Sequence, residues 1–478
     1  DIILCLSSSK LIWQRIISTS NNTMTSKDTT HHIGVVAFPL GNHGPALLNT
    51  IKCLPSLALP NVKFSFFSTK SSLNFLFSNG QNLGFPNIRP YEIWDGKPLG
   101  HVFKGNPLEE VELFMRVAPE SLREVMTIAE ADVGEKVRCL IGDAFLGCFL
   151  GDLAQELGVP WVSCWTSGIH SLTIHVYTDV IKEQFGTHGF EGIGEETLEF
   201  IPGLSKIRIQ DIPDGVLSQG NDSILSHMLG QMGRVLTQAT AIYISCCEEM
   251  DTILIQDLRS KFSNVFPVGP MALVVAPPKG PDNHNCLSWL DKQSANSVVY
   301  VGFGSAATPN PVELVALAEA LEASGLKFLW SLKDHLKVHL PKGFLENNKE
   351  NGLIAPWVPQ IEVLAHEAVG VFITHFGYGS ITESIAAGVP MIGRPFFGDH
   401  KLNGRLVEAV WEIGVQVKGG IFTKDGVLQS LDLIFSRDQG MKMKMNVKNL
   451  SEVVRKTLAP NGSSIQNFKK LLEVITIA

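Results

Sequence analysis

Apolar residues along this chain fall into short continuous runs, and each run is followed by a longer stretch with helical periodicity. Such runs between helices are typical of strands buried on both faces of a parallel sheet. In the first half the predicted strands are 32–40, 61–69, 136–145, 161–165 and 264–270. In the second half they are 297–305, 327–332, 352–358, 370–375 and 389–393. The pattern predicts an α/β protein with one doubly wound sheet in each half.

The alternation is interrupted once, by a segment rich in proline and glycine that follows strand 264–270. We interpret residues 269–285 as a linker, because this composition is typical of loops between domains. A chain of 478 residues is too long for a single core, so two domains are expected. We predict two facing Rossmann-like domains, 24–268 and 286–460, and a helix within 461–478 that returns to the amino-terminal domain.

Residues 1–23 share no character with the rest of the chain. Lys10 and Arg15 interrupt their apolar residues, so the segment lacks the apolar centre of a signal peptide. We interpret it as a non-native upstream extension and expect the natural start at Met24. Nowhere does an apolar run approach the ~18 residues needed to span a bilayer.

Composition disfavours several other classes of protein. The formal net charge of −8, without any basic block, argues against a surface that binds nucleic acid. Eight cysteines form no CxxC pair and show no repeated spacing, so neither a zinc site nor a disulfide framework is expected. Reduced, mostly buried thiols favour a cytoplasmic protein.

Four polar residues stand at or just after the ends of predicted strands: His43, Asp143, Ser305 and His375. Ligands of doubly wound sheets bind at the carboxyl ends of the strands. All four residues are therefore candidates for a single crevice between the domains.

The sequence Gly-Tyr-Gly-Ser at 377–380 is predicted to open the helix that follows strand 370–375. Backbone N–H groups at such a helix start bind anions, and glycines let a phosphate approach the backbone. Only half of the GxGxxG dinucleotide fingerprint is present, because its third glycine position holds Thr382. A nicotinamide-dependent oxidoreductase is therefore disfavoured.

The most specific stretch is 357–400, which reads WVPQIEVLAHEAVGVFITHFGYGSITESIAAGVPMIGRPFFGDH. It resembles the donor-binding box of plant family 1 UDP-glycosyltransferases in its aromatic, histidine, serine and acidic positions, and its 44 residues match the length of that box. Segments 105–126, 163–179 and 200–215 further resemble the flavonoid and anthocyanidin 3-O-glycosyltransferases of this family.

The resemblance implies the GT-B fold, in which two Rossmann-like domains face each other across a cleft, with a UDP-sugar as co-substrate. Trp357 would stack on the uracil, and Gln360 with Glu383 would bind the ribose. The donor-binding residues implied are Trp165, Thr166, Ser305, Trp357, Val358, Gln360, His375, Gly377, Tyr378, Gly379, Ser380, Glu383, Asp399 and His400.

The resemblance also implies an inverting reaction in which His43 removes the proton from the acceptor hydroxyl. A histidine of near-neutral pKa suits this role, and a carboxylate from Asp143 on its far nitrogen would fix the tautomer. The chain contains no DxD motif, so a metal ion is not expected. The acceptor-binding residues implied are Gly41, Asn42, Phe145, His175 and Phe397.

The box departs from the family at several positions. The usual HCGWNS is HFGYGS here, with Phe376, Tyr378 and Gly379 in place of cysteine, tryptophan and asparagine. Loss of the asparagine removes a donor contact. His400 stands where glucose-specific members carry glutamine, and some relatives with histidine prefer UDP-galactose. This favours galactose without excluding glucose.

The sequence thus predicts a monomer that transfers a hexose from UDP-galactose or UDP-glucose to the 3-hydroxyl of a flavonol or anthocyanidin. Two alternatives stay open. The same chemistry could act on another small phenol or on a terpenoid, which acceptor profiling would reveal. A weakly active protein could instead bind the nucleotide sugar or a flavonoid, and it would show UDP binding without product.

Overall fold

The computed structural model describes residues 30–57, 61–77, 86–102, 107–186, 191–217, 224–270, 273 and 282–476. Within these ranges the chain forms two separate parallel sheets. The first contains β1 His31–Val36, β2 Val62–Thr69, β3 Ile88–Ile93, β4 Val137–Asp143, β5 Trp161–Trp165, β6 Ala241–Ile244 and β7 Val265–Pro267. The second contains β8 Val298–Val301, β9 Lys327–Ser331, β10 Gly352–Ala355, β11 Val369–Thr374, β12 Met391–Gly393 and β13 Gly414–Gln416.

Helices connect the strands. Those around the first sheet are α1 His43–Leu57, α2 Lys70–Phe77, α3 Pro107–Val133, α4 Gly147–Leu157, α5 Ile169–Val176, α6 Thr178–Phe185, α7 Ile224–Leu236 and α8 Thr252–Arg259. Those that follow are α9 Cys286–Leu290, α10 Pro311–Ser324, α11 Phe344–Asn347, α12 Gln360–Leu364, α13 Tyr378–Ala387, α14 His400–Arg405, α15 Lys424–Phe435, α16 Gln439–Thr457 and α17 Ser463–Thr476.

Both sheets are doubly wound. The strand order is β3-β2-β1-β4-β5-β6-β7 in the first and β10-β9-β8-β11-β12-β13 in the second. The winding direction reverses between β1 and β4 and between β8 and β11, and loops at such switch points leave a crevice at the carboxyl ends of the strands. His43 and Asp143 lie at the first switch point, and His375 lies at the second. The predicted fold class is confirmed.

Central strands are buried on both faces, as the continuous apolar runs predicted. Val35 and Val36 point to opposite faces of the first sheet and belong to two different core clusters, both without solvent exposure. Val298 and Val299 do the same in the second sheet. Successive side chains alternate across a strand, so helices must cover both faces of each sheet.

The last helix, α17, packs on the first domain. Phe468 and Leu471 are buried in the same cluster as Phe64 of β2, and Asn467 Nδ2 donates a hydrogen bond to the carbonyl of Pro267 over 3.0 Å. The chain therefore returns, in α17, to the domain that contains the first sheet. The limits of the domains stay a prediction, and residues 1–23, with 271–272 and 274–281 of the proposed linker, lie outside the described ranges.

The apolar runs did not reveal three strands, namely β3, β6 and β13. Edge strand β3 exposes Arg89, Pro90 and Glu92, so it lacks a continuous apolar run, while β6 and β13 have only 4 and 3 residues. His43 begins a helix rather than lying in a loop. None of the helices in the described ranges is long and apolar enough to cross a membrane.

Candidate active site

The side chains of His43 and Asp143 meet at the first switch point. Nδ1 of His43 donates a hydrogen bond to Oδ2 of Asp143 over 2.8 Å. Because a carboxylate can only accept, the imidazole proton lies on Nδ1 and Nε2 carries a lone pair. Nε2 is therefore the atom that can remove a proton from a bound hydroxyl group.

Asp143 is held by the backbone that follows β4. Its Oδ1 accepts a hydrogen bond from the main-chain N–H of Phe145 over 3.0 Å, in a short 3₁₀ turn. The Asp143 side chain is 1% exposed, whereas that of His43 remains 19% exposed. The carboxylate is thus a fixed, buried partner, and the imidazole reaches the cleft.

The environment of His43 keeps it basic. Burial acts to lower the pKa of His43, but the charge and hydrogen bond of Asp143, with a contribution from Asp399, hold it above the ordinary value of 6.5. The influence of Asp399 is informative, because Asp399 belongs to the second domain. The geometry agrees, since Thr166 contacts His43 and the adjacent Ser167 donates a hydrogen bond to Asp399.

Neighbouring groups restrict the orientation of the imidazole. The ring centroids of Phe145 and Phe38 lie 4.6 and 5.2 Å from that of His43. Thr166 places Oγ1 at 3.3 Å from Nδ1 of His43. Two aromatic rings pack on the imidazole, and Nδ1 has a second polar contact. Nε2 is therefore the nitrogen that is available to remove a proton.

Helix α13 starts at the second switch point, and its first backbone donors have no partner within the helix. Its first main-chain hydrogen bond runs from Ile381 N–H to Gly377 C=O, so the N–H groups of Tyr378, Gly379 and Ser380 have no acceptor within the helix. Unpaired N–H groups and the positive end of the helix dipole attract an anion. This arrangement suits the diphosphate of a nucleotide sugar.

His375 stands beside this helix start, enclosed by two glycines. A Cβ atom at Gly304 would lie 3.0 Å from the His375 ring, and one at Gly377 would collide with it. Burial, with a smaller effect of His400, lowers the pKa of His375 to about 3. A neutral ring can donate one N–H to a phosphate oxygen.

Ser305 lies in the loop after β8, where its carbonyl accepts from Lys333 Nζ over 3.2 Å.

The predicted nucleoside-binding residues are one exposed indole and one hydrogen-bonded pair of an amide and a carboxyl group. Trp357 is 55% exposed, so its indole is available to a ligand rather than used in the core. Gln360 accepts from the hydroxyl of Tyr300 over 3.0 Å and donates to Glu383 over 2.7 Å and to Ser380 Oγ over 3.1 Å. Burial raises the pKa of Glu383 to about 7, although the Gln360 bond opposes the shift. These contacts fix the amide and the carboxyl group side by side.

Residues 397–400 form a turn at the edge of the cleft, which we call the 397–400 corner. Asp399 accepts a hydrogen bond from the hydroxyl of Ser167 in the first domain. His400 Nδ1 accepts from the main-chain N–H groups of Phe396 and Phe397, each over 3.4 Å, and burial lowers the pKa of His400 to about 4. The proton of the neutral ring therefore lies on Nε2, which is a hydrogen-bond donor.

On the acceptor side, His175 is buried with its ring centroid 5.5 Å from that of Trp165. The ring bonds to the main chain of Leu229, and burial lowers its pKa to about 4. Nδ1 of His175 has no partner among the described residues. A buried lone pair without a partner is costly, so this nitrogen is suited to accept a bond from a ligand hydroxyl.

Several predicted site residues occupy unexpected places. Asn42, expected in the acceptor pocket after Gly41, has its Nδ2 only 3.8 Å from where a Cβ of Gly379 would lie, beside the start of α13. The ring of Tyr378 packs on Gly168 of the first domain, where a Cβ would lie 2.6 Å from it. Val358 is buried in the core of the second domain, so a donor contact there would come from its main chain.

Trp165 and Phe397 also lie in places that the sequence did not predict. The Trp165 side chain is buried, and its indole N–H donates to the carbonyl of Gly168 over 3.0 Å, so it offers a ligand shape rather than a hydrogen bond. Phe397 is half exposed, with its ring centroid 4.7 Å from that of His400. It therefore borders the donor side of the cleft as well.

Sequence reasoning missed four supporting residues: Ser167, Tyr300, Lys333 and Asn403. Asn403 donates from Nδ2 to the carbonyl of Phe376 over 2.9 Å, which steadies the turn before α13. No local motif marks these positions, because each acts on a residue distant in sequence.

The described residues contain no cluster of three or more His, Cys, Asp or Glu side chains that could hold a metal ion.

This chain is similar to known proteins of one class in both structure and sequence. A solved structure described as UDP-glucose: anthocyanidin 3-O-glucosyltransferase in complex with UDP matches with a TM-score of 0.87 and 40% identity, covering 95% of this chain and 100% of that one. The architecture is accordingly that of the GT-B glycosyltransferases. Residues 136–458 match the family described as UDP-glucoronosyl and UDP-glucosyl transferase. The chain belongs to this UDP-glycosyltransferase family, as its resemblance predicted.

Two curated relatives cover nearly the whole chain. An anthocyanidin 3-O-glucosyltransferase of Vitis vinifera is 46% identical over 453 residues, which are 95% of this chain and 99% of that protein. An anthocyanidin 3-O-galactosyltransferase of Rhododendron delavayi is 48% identical over 453 residues, 93% of this chain and 97% of that protein. The two relatives differ in the sugar that their names give, so similarity alone leaves the hexose open.

Proposed function

We propose that this protein transfers a hexose from UDP-galactose or UDP-glucose to the 3-hydroxyl of a flavonol or anthocyanidin. The observation that carries the proposal is the His43–Asp143 pair, bonded over 2.8 Å, in a chain whose relatives are named for this reaction. A position of the pair opposite the second domain is supported by the neighbouring residues Thr166, which contacts Nδ1 of His43 over 3.3 Å, and Ser167, which donates to Asp399 of that domain.

The reaction follows from these positions. Nε2 of His43 takes the proton of the acceptor 3-hydroxyl while the oxygen attacks the anomeric carbon of the hexose. The bond from that carbon to UDP breaks, UDP leaves from the opposite face, and the configuration is inverted. Asp143 stabilises the imidazolium that forms. UDP is a good leaving group, so no strong general acid is needed.

On the donor side, Trp357 stacks on the uracil, and Gln360 with Glu383 holds the ribose. The diphosphate binds the N–H groups at the start of α13 and the imidazole of His375. These donors stand where other transferases use a metal ion, so we propose a metal-independent reaction. On the acceptor side, His175 Nδ1 accepts a bond from a second flavonoid hydroxyl.

Two finer points belong to the same proposal. The six cysteines whose side chains the structure describes are free, which agrees with a reducing compartment, so we propose a cytoplasmic enzyme. We also propose that it acts as a monomer, because the His43–Asp143 pair and the donor group are both supplied by one chain. Mass measurement in solution tests the second point.

The decisive test is product formation. Purified protein is incubated with quercetin or cyanidin and with UDP-galactose or UDP-glucose, with and without EDTA, and the product is identified by mass and by the position of the sugar. A 3-O-hexoside formed equally with EDTA supports the proposal. Binding of UDP without any product favours a weakly active binding protein, and HFGYGS with Gly379 is the feature that would explain it.

A further inference from the structure

The 397–400 corner is held from outside its own domain. Gly398 N–H donates to Oδ2 of Asp214 over 2.8 Å, and the N–H of Asp214 donates back to the carbonyl of Gly398 over 3.0 Å. The hydroxyl of Ser167 donates to the carboxylate of Asp399. Both Asp214 and Ser167 belong to the amino-terminal domain, so two consecutive residues of the corner are tied to the opposite side of the cleft.

The bond from Ser167 matters because Asp399 is a buried carboxylate. Burial raises the pKa of Asp399, and the hydrogen bonds from Ser167 and Asn403 oppose that effect. A carboxylate has two oxygens with about four acceptor positions. With Oδ2 engaged by Ser167, the remaining positions are fixed in direction and can receive hydroxyl groups of a sugar.

We propose that Ser167 and Asp214 are positioning residues that couple closure of the cleft to recognition of the hexose. They hold the 397–400 corner in its binding geometry only when the two domains are together. This inference rests on the proposed function and takes Asp399 and His400, which belong to the implied donor-binding set, as the residues that contact the hexose. Neither residue belongs to the proposed donor-binding or acceptor-binding set.

The arrangement separates the two parts of the donor. The proposed UDP-binding side chains of Trp357, Gln360, His375 and Glu383 all lie in the second domain, so loss of the hydrogen bonds that hold the 397–400 corner should change UDP affinity little. The hexose would contact the corner, which does depend on them. Loss of a tie should therefore weaken UDP-hexose while leaving UDP unaffected.

The test compares Ser167→Ala with the parent chain by titration calorimetry, using UDP, UDP-glucose and UDP-galactose without acceptor. Removal of one hydrogen bond to a charged group should weaken UDP-hexose binding roughly tenfold, with the Kd of UDP changed less than about twofold, within ordinary context dependence. Asp214→Ala should act in the same direction. Asp214→Asn keeps an oxygen that accepts from Gly398 N–H and should restore most of the affinity.

Lys206→Ala is the matched control. Lys206 Nζ donates to the carbonyl of Ala409 over 3.1 Å, so this variant removes a hydrogen bond between the domains without touching the corner. It should leave both affinities near those of the parent. An equal loss of UDP and UDP-hexose affinity in Ser167→Ala, no loss at all, or the same selective loss in Lys206→Ala would overturn the inference.

The inference and the proposed function can fail separately. If Ser167→Ala binds UDP-hexose more weakly than the parent chain does, and the parent chain forms no flavonoid hexoside, the proposed reaction is refuted and the positioning role is supported. If the parent chain forms the hexoside and Ser167→Ala binds UDP-hexose as tightly as the parent does, the proposed reaction is supported and the positioning role is refuted.

Discussion

The ring of Phe376 occupies the space that any side chain at position 393 would need. A Cβ atom at Gly393 would lie 2.5 Å from Cζ of Phe376, and one at Gly404 would lie 3.0 Å from its Cδ2. Phe376 is fully buried at a φ of 60°, a conformation that costs a bulky residue about 1–3 kcal/mol. The large residue in HFGYGS is thus accommodated by two glycines distant in sequence.

This packing predicts a strong coupling between positions 376 and 393. Gly393→Ala should lower the free energy of unfolding by about 1–3 kcal/mol, as overpacked cores do. In a Phe376→Cys background the same substitution should cost at least ~1 kcal/mol less, as expected for residues in contact. Thermal or denaturant unfolding of the four proteins measures the coupling.

Gly379→Ala supplies the control for this cycle, because a Cβ there meets only Asn42 Nδ2 at 3.8 Å. It should change stability by the same small amount in both backgrounds. An equal cost of Gly393→Ala with phenylalanine and with cysteine at position 376 would mean that the ring does not need the space.

The pH profile should report the His43–Asp143 pair. The base must be neutral to accept a proton, and the pKa of His43 lies above its ordinary value, chiefly because Asp143 outweighs the lowering effect of burial. Activity is therefore fully present above that pKa and is lost as the pH falls through it. In Asp143→Asn the pKa of His43 should fall, so the acid limb of kcat/KM should move to lower pH while the maximum rate decreases.

His43→Ala tests the same pair from the other side. Loss of a general base should reduce kcat about 100-fold or more, with UDP affinity unchanged because UDP binds the second domain. Thr166→Ala is a useful comparison, since it removes the 3.3 Å contact to Nδ1 and the implied donor contact of Thr166 but keeps the base, so kcat should fall far less. Full activity of His43→Ala would rule out the proposed mechanism.

Position 379 offers a gain-of-function prediction. Gly379 lies at the start of α13, where the family carries asparagine, and the only atom within 4 Å of an added Cβ is Asn42 Nδ2 at 3.8 Å. Gly379→Asn should raise kcat/KM for the UDP-hexose about tenfold, because it adds a hydrogen bond to a charged ligand. The assay is steady-state kinetics with saturating acceptor.

A matched Gly379→Ala variant separates the amide from the backbone effect. Alanine also reduces the freedom of the unfolded chain and favours the helix, but it adds no donor. If alanine and asparagine raise activity equally, the missing amide is not the reason for any weakness of the site.

How much the sequence revealed depended on whether a residue acts locally. Apolar runs identified the central strands, and β1, β4 and β11 delivered His43, Asp143 and His375 to switch points, where doubly wound sheets bind ligands. The pairing of His43 with Asp143 followed from the topology and the family resemblance together. Edge strand β3 escaped notice because the exposed residues Arg89, Pro90 and Glu92 interrupt its apolar positions.

Contacts between distant segments could not be read from the sequence. Ser167 and Asp399 are 232 positions apart, and Asp214 and Gly398 are 184 apart. No local pattern connects them, because their proximity depends on how the two domains face each other. The space for Phe376 arises in the same way from Gly393 and Gly404, which look like ordinary turn glycines in the sequence.

The hexose preference should respond to the ring of His400. Its Nδ1 is occupied by the main-chain N–H groups of Phe396 and Phe397, so only Nε2–H is available to the sugar. Glutamine would offer both a donor and an acceptor. Galactose and glucose differ in the direction of the 4-hydroxyl, so a single fixed donor distinguishes them, whereas an amide that can turn adapts to either.

His400→Gln should therefore lower the ratio of kcat/KM for UDP-galactose over UDP-glucose by about 3–10-fold, the worth of one neutral hydrogen bond. A competition assay with both donors and one flavonol measures the ratio directly. The Kd of UDP serves as the control and should not change, because UDP lacks the hexose. A ratio that stays constant would show that position 400 does not select the sugar, and the orientation of Asp399 by Ser167 would then be the next determinant to examine.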